Sequence, residues 1–411
     1  MPKQEQLGGG EPEEKIENPF NNLEINPENN LPSETLFKEV IDGIEKQSTA
    51  KVIGLDNWDS YQELSGKLTG VVTINASGER QQIPIFMGRF LGQGKDNEGK
   101  FKNIVSASNI EDIDGKINGG IELQGERPIP RIAGKKVTEI EGNKILGCGY
   151  VKNIGNRLNG SVLVFMDRQE RSLPVINGEL VSAIGSEKVI GCYFVENIDG
   201  KLNGAVQTII PRATSSSGLG RKEHMFPVIN GNPIYRIGGK EITSCYDVKN
   251  IDNKLNGRVK LDAGWIPVIG GQLVTEIDGQ KVLTCNNIKN IDGRLNGSVK
   301  LGEDAVKIDG KEVPVLNGIP VINGNPIYEI DGQKIIDSSE VNNIGGTLNG
   351  QIKTERQEGW LPVIGGIIIS EIGGQGIADC REVHNVCGKI NGRVKFSGQS
   401  KWSNVVLGEI K

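Results

Sequence analysis

The chain has 411 residues, of which 57 are glycine, while aromatic residues make up only 5% and histidine occurs twice. No apolar run approaches the roughly 20 residues of a membrane-spanning helix, and no Gly-X-Y period indicates collagen. Two histidines also argue against a zinc enzyme with several histidine ligands. The formal net charge of −5 is confined to the N-terminal region, because residues 1–50 hold 11 acids and 4 bases.

Residues 1–32 are acidic and rich in Asn, Pro and Gly, a composition that predicts a disordered tail. This segment has no apolar core of a secretory signal, and the six cysteines contain no CxxC pair. We therefore expect reduced thiols and a cytoplasmic location. The remaining residues are nearly neutral and lack a basic block, so nucleic acid is not an expected partner.

Residues 33–48 are predicted to form one short amphipathic helix. Ser33 can cap it, and the helix should run from Glu34 to about Gln47. An isolated helix of this length is marginal in water, so its apolar stripe needs a surface, either the rest of this chain or a partner protein. The stripe consists of Leu36, Phe37, Val40, Ile41 and Ile44.

An internal repeat organises residues 49–411. A [LI]-N-G motif recurs at intervals of 40 to 53 residues, beginning at Leu68 (as LTG), Ile117, Leu158, Leu202, Leu255, Leu295, Leu348 and Ile390. One unit, 256–297, contains four predicted strands: RVKL, WIPVI, QLVTEI and KVLTCNNIKNI. They are separated by GG and DG dipeptides, which are typical of two-residue hairpin turns.

Four antiparallel strands in some 40 to 45 residues resemble one blade of a β-propeller. The resemblance covers residues 51–411 and concerns architecture alone, since no WD or kelch signature is present. It implies an all-β domain, 49–411, that forms a closed ring of about eight four-stranded blades. The last unit is incomplete, because the chain ends after residues 391–411. Residues 51–68 resemble the missing second half, so the two segments are expected to pair in one shared blade. Seven blades, or an open β-meander or solenoid, are the alternatives.

Two insertions, 209–225 and 302–318, fall at the same point of their units, between the RVKL-type strand and the PVI strand. They should therefore project from the same part of the ring, where variable loops commonly bind ligands. The first insertion contributes the candidate binding residues Arg221, Lys222 and His224.

Trp265, Trp360 and Trp402 share one repeat position, just before the PVI strand or its equivalent. There they can either stack on a ligand such as a sugar or cover the edge of the hydrophobic core.

Two further sets of residues also recur at fixed repeat positions. The cysteines are Cys148, Cys192, Cys245, Cys285 and Cys380, and the asparagines of the motif are Asn118, Asn159, Asn203, Asn256, Asn296, Asn349 and Asn391. A redox or metal ring and a sugar-binding ring of amides are the functional hypotheses. We favour buried packing for the thiols, and turn or strand-linking hydrogen bonds for the asparagines.

The sequence predicts a non-catalytic binding or scaffold module, a monomeric ring that contacts a protein partner through one loop face and the acidic tail. A carbohydrate-binding lectin that uses the tryptophans is the alternative, with a glycan as ligand. A hydrolase or lyase with a site in the central channel is a lesser alternative. We expect no cofactor, no metal and no catalytic residue, because neither His224 nor His384 is paired with a nucleophile in sequence.

Overall fold

A computed structural model describes residues 33–48, 50–55, 61–76, 78–95, 100–209, 223–262, 264–302, 307–308, 311–312 and 318–411. The predicted disordered tail, 1–32, therefore lies outside the described residues. Apart from one helix, the described chain forms eight consecutive antiparallel sheets, which are the blades of a β-propeller. The predicted all-β propeller of eight blades is confirmed, in preference to seven blades or an open array.

The first four blades follow one another along the chain. The first comprises Lys51–Leu55, Gln62–Leu64, Lys67–Ala76, Glu79–Phe86 and Arg89–Phe90. The second comprises Gln93–Lys95, Phe101–Ile113, Lys116–Leu123, Ile129–Ile132 and Lys135–Lys136. The third comprises Glu139–Ile140, Asn143–Ile154, Arg157–Met166, Gln169–Ile176 and Glu179–Leu180. The fourth comprises Ala183–Ile184, Glu187–Ile198, Lys201–Ile209, Glu223–Ile229 and Asn232–Pro233.

The last four blades repeat the plan. The fifth comprises Ser244–Ile251, Lys254–Leu261, Gly264–Ile269 and Gln272–Leu273, preceded by the two-stranded hairpin Arg236–Ile237 and Lys240–Glu241. The sixth comprises Glu276–Ile277, Gln280–Ile291, Arg294–Leu301, Ile319–Ile322 and Asn325–Pro326, with the separate hairpin Lys307–Ile308 and Lys311–Glu312. The seventh comprises Glu329–Ile330, Gln333–Ile344, Thr347–Thr354, Gln357–Ile364 and Ile367–Ile368. The eighth comprises Glu371–Ile372, Gln375–Val386, Lys389–Phe396, Trp402–Val406 and Glu409–Ile410.

Blades have five strands rather than the predicted four, except for the four-stranded fifth sheet. The difference arises because the predicted strand QLVTEI is two short strands. Gln272–Leu273 pairs with the preceding strand of the fifth blade, whereas Glu276–Ile277 pairs with the first long strand of the sixth. Each such connector therefore belongs to two neighbouring blades.

The first long strand of a blade, which we call the bulged strand, is kinked in the same way throughout the repeat. In the sixth blade Asn286 pairs with Ser298 and Lys289 with Asn296, so Asn287 and Ile288 oppose the single residue Gly297. A Cβ atom at Gly297 would lie 2.6 Å from the carbonyl oxygen of Asn287, and its φ is +141°. The glycine of the N-G motif is thus the residue that this bulge requires.

The asparagine of the same motif links each blade to the next. Asn159 Oδ1 accepts a hydrogen bond from the backbone N–H of Asn177 at 2.7 Å and another from Asn197 Nδ2 of the following blade, also at 2.7 Å. Equivalent side-chain pairs join Asn118 with Asn153, Asn203 with Asn250, Asn256 with Asn290, Asn296 with Asn343, and Asn349 with Asn385. The predicted strand-linking role of these asparagines is confirmed.

The expected shared blade at the ring closure is wrong. Lys51–Leu55 and Gln62–Leu64 both pair with Lys67–Ala76, while Lys389–Phe396 and Trp402–Val406 belong to a complete eighth blade. The tight turn Ser65-Gly66, with φ of 52° and 70°, keeps the first strands in the sheet of the strand that follows. The segments 51–68 and 391–411 do meet, but as two packed blades, with Lys51–Leu55 lying against Trp402–Val406.

Helix α1, Glu34–Ser48, lies across this closure. The Ser33 hydroxyl accepts a hydrogen bond from the backbone N–H of Leu36 at 3.3 Å, which confirms the predicted cap. The apolar stripe is buried in one cluster with residues of the first and eighth blades, and Leu36 packs at its edge. The buried members of the stripe are Phe37, Val40, Ile41 and Ile44. The interpretation of this stripe as a partner-binding surface is therefore wrong, because the ring itself covers it.

Candidate functional site

Variable positions stand at the bulge in the second to eighth blades, within a frame that otherwise changes little. In sequence the frame reads Cys-x-x-[Val/Ile]-x-Asn, as in CYDVKN at 245–250. The residue before the Val or Ile, the bulge residue, is Asn109, Tyr150, Phe194, Asp247, Asn287, Glu340 or Glu382 in the second to eighth blades. The residue after the Val or Ile, the ring residue, is Glu111, Lys152, Glu196, Lys249, Lys289, Asn342 or His384 in the second to eighth blades. Its counterpart in the first blade is Gln62, which follows Tyr61 and pairs with Thr69.

The bulge residues of the third to seventh blades and the ring residues of the fourth to eighth blades line a central cavity of about 450 Å³. Residues from six successive blades can meet only at the axis of the ring. The floor includes the buried side chains of Val248, Ile288 and Val341. An adjoining cavity of about 370 Å³ is lined by residues of the first three blades and shares Tyr150 with the central one.

Asp247 is the most heavily partnered acid of the central cavity. Its Oδ2 lies 3.0 Å from Arg258 Nε, and the Arg258 guanidinium also stacks between the rings of Tyr246 and Trp265 at 4.7 and 5.4 Å. Burial raises the pKa of Asp247, while Arg258 and Lys249 oppose that rise. The carboxylate is thus held in place as half of a mostly buried ion pair.

Glu340 and His384 face the same cavity from the seventh and eighth blades. Glu340 Oε2 accepts hydrogen bonds from Gln351 Nε2 at 2.6 Å and from the backbone N–H of Val383 at 3.0 Å. Burial raises the pKa of Glu340, partly offset by His384. The Nδ1 atom of His384 is buried and has no hydrogen-bond partner among the described residues.

Charges of opposite sign follow one another around the ring residues of the second to fourth blades. Burial alone would lower the pKa of Lys152, but its hydrogen bond to Tyr150 and the charges of Glu196 and Glu111 outweigh burial and raise it. In the fifth and sixth blades two lysines follow in succession, and Lys289 Nζ donates a hydrogen bond to Asn342 Oδ1 at 2.8 Å.

Phe194 lines the cavity, and two further exposed aromatic residues lie next to it: Tyr246, which contacts Phe194, and Tyr193, which precedes Phe194 in the chain. Tyr193, Phe194 and Tyr246 are 50%, 52% and 37% exposed. The rings of Phe194 and Tyr246 meet edge to face with centroids 5.9 Å apart.

The structure does not bring the predicted tryptophans together. Trp265 and Trp360 pack against the hydrophobic clusters of the sixth and eighth blades. Each ring also carries a cation on its face, Arg258 on Trp265, Lys353 on Trp360 and Arg381 on Trp402. A sugar that stacked on these rings would have to displace the cations, so the geometry favours the packing interpretation.

The basic candidates of the first insertion are not placed by the structure. Arg221 and Lys222 lie outside the described residues. The backbone of His224 pairs with Thr208 in the fourth blade, and its side chain is likewise outside what is described.

The repeated cysteines are free thiols packed between strands. Burial raises the pKa of Cys148, Cys192 and Cys285 to about 12, and it raises the pKa of Cys245 and Cys380 as well. Where serine replaces the cysteine, the Ser338 hydroxyl donates to the carbonyl oxygen of Gly318 at 2.6 Å. The packing interpretation of this position is confirmed.

Sequence reasoning missed the cavity residues because it concentrated on turns and insertions. The available signal was the set of three positions that vary inside the Cys-x-x-[Val/Ile]-x-Asn frame. Positions that differ between copies of a repeat, while the residues around them stay the same, are candidates for ligand contact.

Comparison with known proteins adds no relative: no protein-family model matches the chain, and no curated protein matches its sequence. Within the described ranges, no three His, Cys, Asp or Glu side chains are grouped so that they could hold a metal ion. No helix in the described part of the chain is long and apolar enough to cross a membrane. Fold and cavity together define an eight-bladed β-propeller with a charged, aromatic-rimmed site on its axis.

Proposed function

We propose that this propeller is a non-catalytic binding module that holds a segment of a protein partner over its central cavity. The observation that carries the proposal is the contrast between a constant frame and the side chains that differ from blade to blade. The latter line the cavity, where Phe194 is exposed and contacts the exposed ring of Tyr246. Exposed aromatic residues are enriched at the centres of protein interfaces, because they bury a large area with little loss of side-chain entropy.

The test is selection from a phage-displayed library of random peptides, followed by affinity measurements on the enriched sequences. The variant Phe194→Asn/Tyr246→Asn places at both sites the residue that the sixth blade has there, Asn287 and Asn286, so the bulge geometry is retained. Binding should weaken by roughly a factor of ten or more, a typical effect of removing a hot-spot aromatic residue.

The matched control is Phe165→Asn, since Phe165 is 58% exposed but does not line the described cavities. This control should bind the selected peptides as the unchanged protein does. Failure to enrich any peptide, or equal affinity of the double variant, would refute the proposal. We expect the acidic residues 1–32 to contribute to the same partner, so a chain that lacks them should bind more weakly while the ring stays folded.

The free, deeply buried thiols suit a reducing compartment, and we therefore propose a cytoplasmic protein that acts as a single ring.

A second candidate function, an enzyme in the same cavity, is favoured by Glu340 and His384. A carboxyl group with a raised pKa beside an imidazole is the kind of pair that general acid–base catalysis uses. Chromogenic ester and glycoside substrates test it. Turnover by the unchanged protein that the variant Glu340→Gln abolishes would establish an enzyme. If the unchanged protein turns over neither the ester nor the glycoside, the protein is neither an esterase nor a glycosidase for these substrates.

A further inference from the structure

Two lysines from neighbouring blades face the central cavity at the same repeat position. Lys249 belongs to the fifth blade and Lys289 to the sixth. The charge of Lys249 acts on Asp247, but no carboxylate among the described residues forms an ion pair with its ammonium group. Lys289 Nζ is oriented by its hydrogen bond to Asn342 Oδ1. Both ammonium groups are thus positioned beside the same space.

The carboxylates of the cavity have other partners. Asp247 is paired with Arg258 at 3.0 Å, and Glu340 accepts hydrogen bonds from Gln351 and from the backbone of Val383. Glu196 acts on Lys152 of the preceding blade. Lys249 and Lys289 both act on Asp247, but its ion pair is with Arg258, so the lysine side of the cavity favours a negatively charged ligand group.

The other side of the cavity is aromatic and apolar. Tyr150 and Phe194 contribute from the third and fourth blades, and the floor includes Val248 and Ile288. A volume of about 450 Å³ lies within the range of roughly 300–1,000 Å³ that small-ligand sites have. Flat apolar groups gain the most from such a surface, since they bury area against ring faces.

We propose that the central cavity binds an anionic group, carboxylate, sulfonate or phosphate, that is attached to a flat apolar body. The anion lies between Lys249 and Lys289, and the apolar body lies against Tyr150 and Phe194. This inference goes beyond the proposed function. A free small molecule can carry both groups, and so can two neighbouring side chains of a bound peptide.

The experiment uses two dyes with the same aromatic body. 1-Anilinonaphthalene-8-sulfonate carries the anion, and N-phenyl-1-naphthylamine lacks it. Fluorescence titration of the full chain should show one site for the sulfonate. The variant Lys249→Gln/Lys289→Gln, which has at both sites the residue that the first blade has as Gln62, should bind the sulfonate roughly tenfold or more weakly.

Matched measurements separate this effect from unfolding and from general surface charge. The double variant should bind the neutral dye as the unchanged protein does, which also shows that the cavity is intact. The control Lys240→Gln/Lys254→Gln removes two exposed lysines of the fifth-blade region and should not change sulfonate binding. Equal sulfonate affinity of the cavity variant and the unchanged protein, or an equal loss in the control, would overturn the proposal.

Displacement of the bound sulfonate distinguishes the two sources of the anion. Displacement by 2-naphthoate alone supports a free ligand, and displacement by a blocked Phe-Glu peptide supports a peptide-borne one. If neither displaces the dye, the proposal is overturned. Peptide selection that fails while 2-naphthoate binds would reject the proposed protein-binding function and leave this inference standing.

Discussion

The junctions inside the ring differ from the two that involve the first blade. Six junctions, from the second blade to the eighth, carry the side-chain hydrogen bond between two asparagines. Between the first and second blades, Thr69 and Asp112 occupy the two asparagine positions. Between the eighth and first blades, which close the ring, Asn391 is present but Glu63 replaces the asparagine that would donate to it. The closure is instead covered by helix α1 and its apolar cluster.

The contrast shows how a repeat can close on itself. An amide link needs an acceptor in one blade and a donor in the next, so it is copied only where both blades keep the repeat. The first blade has diverged, and burial of apolar side chains, which does not depend on an exact donor–acceptor register, takes its place. Two polar contacts fix the helix: Lys389 Nζ lies 2.7 Å from Glu34 Oε1, and Glu45 Oε1 accepts from the backbone N–H of Val52 at 3.1 Å.

Breaking the apolar closure should have the largest effect. Phe37 is 1% exposed and packs edge to face on Tyr61 at 4.8 Å. We expect Phe37→Ala to lower the free energy of unfolding by about 3–5 kcal/mol, the usual cost of such a cavity. Denaturant titration measures the loss, and hydrogen exchange should rise first in the first and eighth blades. Glu39→Ala on the exposed side of the helix is the control, and a loss no larger than the control's would contradict the closure role.

Removing one amide link should have the next largest effect. In Asn203→Ala the backbone N–H of Asn230 loses its acceptor, and the amide of Asn250 loses one of two acceptors and keeps Asn230 Oδ1. We expect a loss of about 2–3 kcal/mol, because a buried donor is left unsatisfied. Asn391→Ala at the closure deprives only the N–H of Leu407 of this acceptor, so its cost should be about 1 kcal/mol smaller. Equal losses in the two variants would show that the amide links between blades contribute nothing.

Installing the missing link should stabilise the ring. Asp112 Oδ1 is buried without a hydrogen-bond partner among the described residues. In Thr69→Asn/Asp112→Asn the new pair repeats the arrangement of Asn118 and Asn153 one blade later. We expect a gain of about 0.5–1.5 kcal/mol in denaturant titrations. Asp112→Asn alone is the control. If the double variant is no more stable than this single variant, the asparagine pair does not stabilise the junction.

The smallest effect concerns pH and the cavity. The pKa of Glu340 is raised in the folded protein by burial, so the folded state binds its proton more tightly than the unfolded state does. Stability from this group is therefore present at low pH and is lost as the pH rises from the unfolded value, about 4.3, through the folded one. Glu340→Gln keeps the acceptor for Gln351 and Val383. The melting temperature of Glu340→Gln should therefore rise relative to that of the unchanged protein as the pH increases across this interval. A difference that does not change with pH would contradict the raised pKa of Glu340.

Much of the fold was predictable because it depends on local chemistry. The hairpin dipeptides and the N-G motif revealed the number of blades, and the spacing of Phe37, Val40 and Ile44 revealed the helix. The assignment of residues 51–68 was wrong. The sequence is compatible with their pairing either with 391–411 in a shared blade or with the strand that follows the turn Ser65-Gly66. Hydrogen bonding across a two-residue turn decides between them.

The cavity was not predictable in the same way. Lys249 and Glu340 are 91 positions apart in sequence and share no local motif, and only closure of the ring brings them to one space. The tryptophans were visible as a repeated position, but the cations that cover them come from another strand of the same blade, as Arg381 does for Trp402.

The bulge has a consequence for how this protein can change over evolutionary time. Its geometry is set by the glycine opposite and by the hydrogen bonds of the flanking strand pairs, so the bulge accepts different side chains at the bulge residue and at the ring residue. Six of the bulge residues have a positive φ, yet they include phenylalanine and both acids as well as asparagine. Each duplication of a blade therefore adds two sites at which new specificity can be tried by substitution, while the scaffold that presents them keeps its stability.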